Sequence, residues 1–202
     1  MINRFTILIV SLNIIFGSVP DASGVNGAVT SSNKFASDVG INILKDGGNA
    51  VDAAIAVGFA LAVVHPGAGN IGGGGFMVIR LADGTKTTID FRETAPQKAS
   101  RDMFLDENGD IIEGKSWSTS WASGVPGSVA GFGLAHEEFG TLKWSQLIDS
   151  SIQLARDGYS LNYNDANSFN RYNDFLTKDS VTRTIFVRDE EFKTGDILVQ
   201  RN

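Results

Sequence analysis

Arg92 stands between Asp90 and Glu93 in the stretch DFRETAP, Asp90 to Pro96, which follows the glycine run GNIGGGGF, Gly69 to Phe76. A guanidinium offers a planar fork of donors that matches a carboxylate with two parallel charge-assisted hydrogen bonds, a geometry that lysine cannot supply. Arg92 is therefore a candidate binder of a substrate carboxylate. The competing reading is an intramolecular ion pair with Asp90, Glu93 or another acid, and local pattern alone favours it. The four glycines Gly72 to Gly75 give up side-chain contacts and raise the entropic cost of ordering the loop, so they must serve backbone geometry. Either the backbone approaches a substrate there or the loop packs tightly against a neighbouring strand. A phosphate loop is disfavoured, because the GxxxxGK[ST] form is missing and the glycines precede a strand pattern where a helix is required.

Other chemistry is sparse. A serine hydrolase needs an elbow of the form GxSxG, and GSVAG, Gly127 to Gly131, sets its serine one position early, as at a helix start. The two histidines, His65 and His136, are isolated, which argues against a triad or a metal site; His65 fits the cationic end or cap of a helix. Asp52, Asp90, Glu93 and Asp102 are each explained by capping, turns or surface charge. Cysteine is absent, which excludes disulfides, thiolate catalysis and Cys-ligated zinc. No metal or organic cofactor is implied.

The 202 residues suffice for one domain with a sizeable core or for part of a larger one. A formal charge of -6, with the basic residues scattered, disfavours nucleic-acid binding, which needs clustered Lys and Arg. Arg4 precedes the apolar run FTILIVSLNIIFG, Phe5 to Gly17, which is too short to span a bilayer of roughly 30 Å as a helix. Small residues follow at Ser18, Ala22, Ser23 and Gly24, so residues 1–23 read as a secretory signal, with an uncleaved anchor or a buried strand as the alternatives. Export of a cysteine-free protein fits a periplasmic or secreted location.

The elements that must hold these residues follow from periodicity. Ser37 to Lys45 reads as a helix stopped by Gly47 and Gly48. Asn49 then caps AVDAAIAVGFALAVV, apolar almost all round and therefore a buried helix, with Asp52 at its third position and with alanines and Gly58 that let a neighbour come close. Phe76 to Leu81 and Thr85 to Phe91 read as a hairpin around Asp83-Gly84, which sets Arg92 at a strand end. Asp106 to Gly109 is turn-like, and Ser116 to Ser128 is a loop closing at Pro126 and Gly127. Helical patterns return over Val129 to Phe139 and Trp144 to Arg156, ended by Gly140 and Gly158. From Tyr159 the chain is polar, and Asn162, Asn164, Asn167, Asn170 and Asn173 interrupt any regular period.

In order, DGGNAVDAAIAVGFALAVVHP, GNIGGGGFMVIR, IDFRETAP, DMFLD, SGVPGSVAGF and LARDGY strongly resemble the amino-terminal part of the large subunit of γ-glutamyltransferases, over about residues 27–201. The resemblance implies an α+β fold, the four-layer αββα sandwich of the N-terminal-nucleophile hydrolases, only partly present over residues 24–202. It implies cleavage of the γ-glutamyl amide of glutathione or a related donor, with transfer to water, amino acids or peptides. In the family a precursor cuts itself, and the new amino-terminal threonine of the small subunit becomes nucleophile and base. Arg92 matches the arginine that family members use to hold the glutamyl α-carboxylate, and the adjacent Glu93 is placed to orient it.

The rest of the large subunit and the small subunit, with the threonine nucleophile and the oxyanion glycines, have no counterpart in this sequence. Neither Thr30 nor Thr94 replaces that threonine by motif. The expectation is a chain without catalytic residues of its own, inert alone, with core surface left exposed. A related acylase of the same superfamily and a non-catalytic remnant keeping only the carboxylate pocket are the alternatives.

Overall fold

The computed structural model describes residues 23–69 and 71–201. The proposed secretory signal falls, but for Ser23, outside the described residues. Helix α1, Lys34–Lys45, begins three residues before the predicted start, because the Asn33 side chain accepts a hydrogen bond from the Phe35 amide. Helix α2, Ala50–Val64, runs as expected from a cap at Asn49 to His65. Strands β1, Phe76–Arg80, and β2, Lys86–Asp90, form an antiparallel hairpin in which Phe76 faces Asp90 and Ile79 faces Thr87. Gly84, at φ 91°, supplies the left-handed turn residue, and the Asp83 side chain accepts from the Thr85 amide.

Helix α3, Ser128–Phe139, and helix α4, Trp144–Asp157, follow, the latter ending at Gly158 with φ 88°. The short strand β3, Tyr159–Ser160, pairs with β4, Ile197–Leu198, near the end of the described chain. Between them lie α5, Tyr163–Arg171, α6, Asn173–Leu176, and α7, Ser180–Phe186. These three helices correct the expectation of an irregular segment. Asn162, read as a breaker of periodicity, is instead an N-cap accepting from the Asp165 amide, and Asp179 caps α7 through Thr182. Asn170 grips the backbone of Phe192 with both its amide atoms, which brings Phe192 beside Phe169, itself stacked on Phe186. Each helix is too short for an apolar period to repeat.

The class is α+β. Helix α2 is the centre: Ile55, Ala56, Ala60 and Val64 are fully buried, and α1 and α4 pack along it. Full burial of an aliphatic side chain such as Ile55 contributes about 1.5–3 kcal/mol. The ring of Phe132 on α3 fills the space where a side chain at Gly58 would stand. Ile79 and Ile89 turn one face of the hairpin into the same core, while Phe76 and Val78 on the other face are exposed. Trp117, Trp121 and Ile111 are exposed as well. Among the described residues no helix is long and apolar enough to cross a membrane.

One buried carboxylate joins the elements. Asp52 has no solvent exposure, closes a capping box with Asn49, and accepts hydrogen bonds from the amides of Thr141 and Leu142 and from the Thr141 hydroxyl. Asn49 Nδ2 donates to the Phe139 carbonyl, so the start of α2 is bolted to the α3–α4 turn. Burial pushes the Asp52 carboxyl up, but the bonds from Thr141, Asn49 and Leu142 together outweigh it and hold its pKa below the ordinary value. A carboxyl lowered on folding contributes stability above its unfolded pKa of about 4, and that contribution is lost as pH falls through the folded value. Urea unfolding should show the Asp52→Ala variant destabilised by about 3 kcal/mol at pH 7, since several buried donors lose their acceptor. The wild type should lose stability below about pH 4 with a steeper dependence than the variant.

Candidate functional site

The site is built where three backbone segments converge. Phe91 continues the hairpin beyond β2 by exchanging hydrogen bonds with Gly75: Phe91 N donates to Gly75 O at 3.0 Å and Gly75 N to Phe91 O at 3.3 Å. The Phe91 ring is wedged against Phe132 with centroids 5.7 Å apart. Thr94 then pairs with Val125 through reciprocal amide bonds, tying the DFRETAP segment to the loop before α3. At the start of α3 no side chain caps the helix. The Gly73 carbonyl takes that place, accepting from the amides of Gly127 and Ser128 at 2.8 and 3.0 Å.

The glycines are explained by this crowding. A Cβ on Gly74 would lie 2.4 Å from Phe91 O and 2.7 Å from Glu93 N; one on Gly127 would lie 2.0 Å from Phe91 O, and one on Gly131 would meet the Phe91 ring at 2.3 Å. Packing of the loop against the neighbouring strand therefore accounts for Gly74. Gly72 has nothing within 4 Å of a built Cβ and needs no such account. Gly127 and Gly131 belong to the site as much as the run does. Their signal in sequence is the string GSVAG, which marks a helix start without indicating what that start touches.

Arg92 emerges from the junction onto the exposed face. Its backbone amide donates to Asp90 Oδ1 at 3.0 Å, so Asp90 serves the local turn. The guanidinium is paired with Glu93, Nε to Oε2 3.1 Å, and lies over the Phe76 ring with Cζ 5.9 Å from its centroid. With the Arg92 side chain 62% exposed, this ion pair contributes little to stability. Among the described residues the terminal nitrogens of Arg92 make no hydrogen bond to the protein, which leaves their edge open. The ion pair and the open fork therefore coexist.

The remaining sequence candidates resolve into structural roles. Ser128 is buried as the first residue of α3. His65 is the C-cap of α2, and His136 Nε2 donates to the Leu142 carbonyl while its ring meets Trp144 edge-on. Asp102 forms a loose exposed pair with Arg101 at 3.8 Å. Among the described residues no group of three or more His, Asp or Glu side chains could hold a metal ion.

Comparison with known proteins gives one consistent likeness. A family profile described as gamma-glutamyltranspeptidase matches residues 36–202. The glutathione hydrolase proenzyme of Escherichia coli (strain K12) is 50% identical over 178 residues, covering 87% of this chain and 31% of that protein. The corresponding proenzyme of Pseudomonas sp. (strain A14) is 45% identical over 192 residues, covering 94% of this chain and 33% of its own length. The crystal structure of Helicobacter pylori gamma-glutamyltranspeptidase superposes with a TM-score of 0.85 at 45% identity, covering 90% of this chain and 52% of that one. The chain thus spans about a third of the length of these curated relatives.

Substitutions separate crowded from open glycines. Gly127→Ala meets a backbone carbonyl that cannot rotate away and should lower unfolding free energy by about 1–3 kcal/mol. Gly72→Ala should stay within about 0.5 kcal/mol of wild type in the same urea titration.

Proposed function

Because the chain belongs to the gamma-glutamyltranspeptidase family, we propose that it is the amino-terminal part of a large subunit whose assembled enzyme cleaves γ-glutamyl amides such as that of glutathione. The fold is the α+β fold of the N-terminal-nucleophile hydrolases, of which this chain carries part. Within that enzyme the role of residues 24–202 is to hold the donor, and Arg92 grips the glutamyl α-carboxylate. Glu93 steadies the arginine from its Nε side. The observation that carries this reading is the guanidinium paired with Glu93 at 3.1 Å, with its terminal nitrogens free of protein partners among the described residues.

Attack on the amide needs a nucleophile with an adjacent base, and donors for the oxyanion that develops. The remainder of the family's protein supplies these, the threonine of the small subunit above all. Water or an amino acid or peptide acceptor then resolves the acyl-enzyme. Residues 1–23 serve as a secretory signal, and the assembled protein works in the periplasm or outside the cell.

Two assays test the proposal. The purified 202-residue chain should release no glutamate from glutathione; turnover by it alone would overturn the division of labour. Residues 24–201 should also replace the matching third of the Escherichia coli proenzyme in a chimera. There Arg92→Lys should cut kcat/KM for glutathione by about 10- to 100-fold, the worth of a charge-assisted bidentate contact. The loss should fall mainly on KM, because the α-carboxylate is held alike in ground and transition states. An unchanged kcat/KM would remove Arg92 from the site.

A further inference from the structure

Phe76 sits on the exposed face of β1, 66% accessible. Its register partner is Asp90, and Arg92 lies two residues further along the same segment. In an antiparallel pair such a diagonal neighbour is within reach of an aromatic ring and a long side chain. The Arg92 Cζ lies 5.9 Å from the Phe76 centroid, over the ring, within the range in which a guanidinium is attracted by the ring quadrupole.

We propose that Phe76 is a positioning residue for Arg92, the platform that, with Glu93, presents the guanidinium by its terminal-nitrogen edge to a carboxylate ligand. The inference rests on the carboxylate-binding reading of Arg92 given above. A guanidinium has two usable bidentate edges and two faces. Glu93 occupies the Nε side at 3.1 Å, and Cζ stands 5.9 Å from the centroid of the Phe76 ring, over the ring. What stays open, among the described residues, is the fork of the two terminal nitrogens. An unrestrained arginine at this exposure would sample many rotamers and pay their entropy on each binding event; a ring beneath it lowers that cost.

The ligand class follows: a carboxylate entering end-on. A smaller aliphatic residue at position 76 would keep apolar area and lose the platform. Tyrosine would keep both.

The test uses the 202-residue chain with 15N-labelled arginine, read by NMR. In the free protein the Arg92 side-chain Nε–Hε signal should carry a ring-current shift that Phe76→Leu abolishes and Phe76→Tyr retains. Titration with glutathione, and with an analogue lacking the glutamyl α-carboxylate, follows the same signal. Wild type should respond to glutathione and not to the analogue, and Phe76→Leu should bind about two- to fivefold more weakly, with Phe76→Tyr close to wild type. Phe76→Thr, suited to an exposed strand position, serves as a second ring-less variant should the leucine variant unfold. Equal shifts and equal affinities in wild type and the ring-less variants would overturn the role of Phe76 alone. An Arg92 signal that ignores glutathione in every protein would overturn the carboxylate reading of Arg92 and this inference with it.

Discussion

The constraint on which the candidate site depends is the near-contact of three backbones at Phe91. Gly75 pairs with it from one side, Gly74 passes where any Cβ would strike its carbonyl, and Gly127 reaches the same carbonyl from the start of α3. Main chain this close leaves no room for a Cβ at Gly74 or Gly127, so glycine is required at those two crossings. What is gained is rigidity at one point. The Phe91 ring is driven into the core against Phe132, and the next residue, Arg92, must leave in the opposite direction. The arginine's direction is thus set by packing behind it, before any ion pair forms.

That junction is stiff only because the helices behind it are. Phe132, which receives Phe91, is on α3, and α3 is fixed to α2 by the ring filling the space above Gly58. The turn after α3 is in turn held by Asp52, whose buried carboxylate finds four protein donors. A buried charge without partners would cost far more than it returns; here each oxygen is bonded, so the charge works as a fastener between α2 and the α3–α4 turn. The line from Asp52 through Phe132 and Phe91 to Arg92 is one of contacts seen in the structure, and it makes the exposed arginine part of a packed assembly.

Much of this was legible in the sequence where a local signal and its long-range consequence coincide. Asn49 with Asp52 announced a cap and the start of a buried helix, and the hairpin showed itself through Asp83-Gly84 between two β-rich runs. The position of Arg92 at a strand end followed from that hairpin. Signals with more than one physical meaning were read less well. Asparagines after Tyr159 looked like breaks in periodicity, yet Asn162 starts a helix and Asn170 clamps a distant backbone, because the same short amide side chain can do either. The glycine run was ambiguous for a similar reason: absence of a side chain marks closeness without naming the neighbour. The partners of Gly74 and Gly127 are long-range, and only the fold could supply them. Phe76 was seen as a strand residue, since its contact with Arg92 depends on register across the hairpin.

The hairpin also decides from which side chemistry can come. Its inner face, through Ile79 and Ile89, is spent on the helices, and the Phe76, Val78, Asp90 and Arg92 face looks away from them. A two-stranded ribbon backed by helices on one side gives a ligand a single direction of approach. On the function proposed above, a donor held by its α-carboxylate at Arg92 lies along that outer face, and its amide carbon is a few bonds further out. A nucleophile belonging to this chain would have to stand on the same face within reach of that carbon. The exposed polar side chains beside Arg92 are Asp90, Glu93 and Thr94, with no base held against the threonine hydroxyl among the described residues. A hydroxyl without such a base is a weak nucleophile. On that proposal the outer face of the hairpin fixes one end of the substrate, and the attacking group is a residue other than Asp90, Glu93 and Thr94.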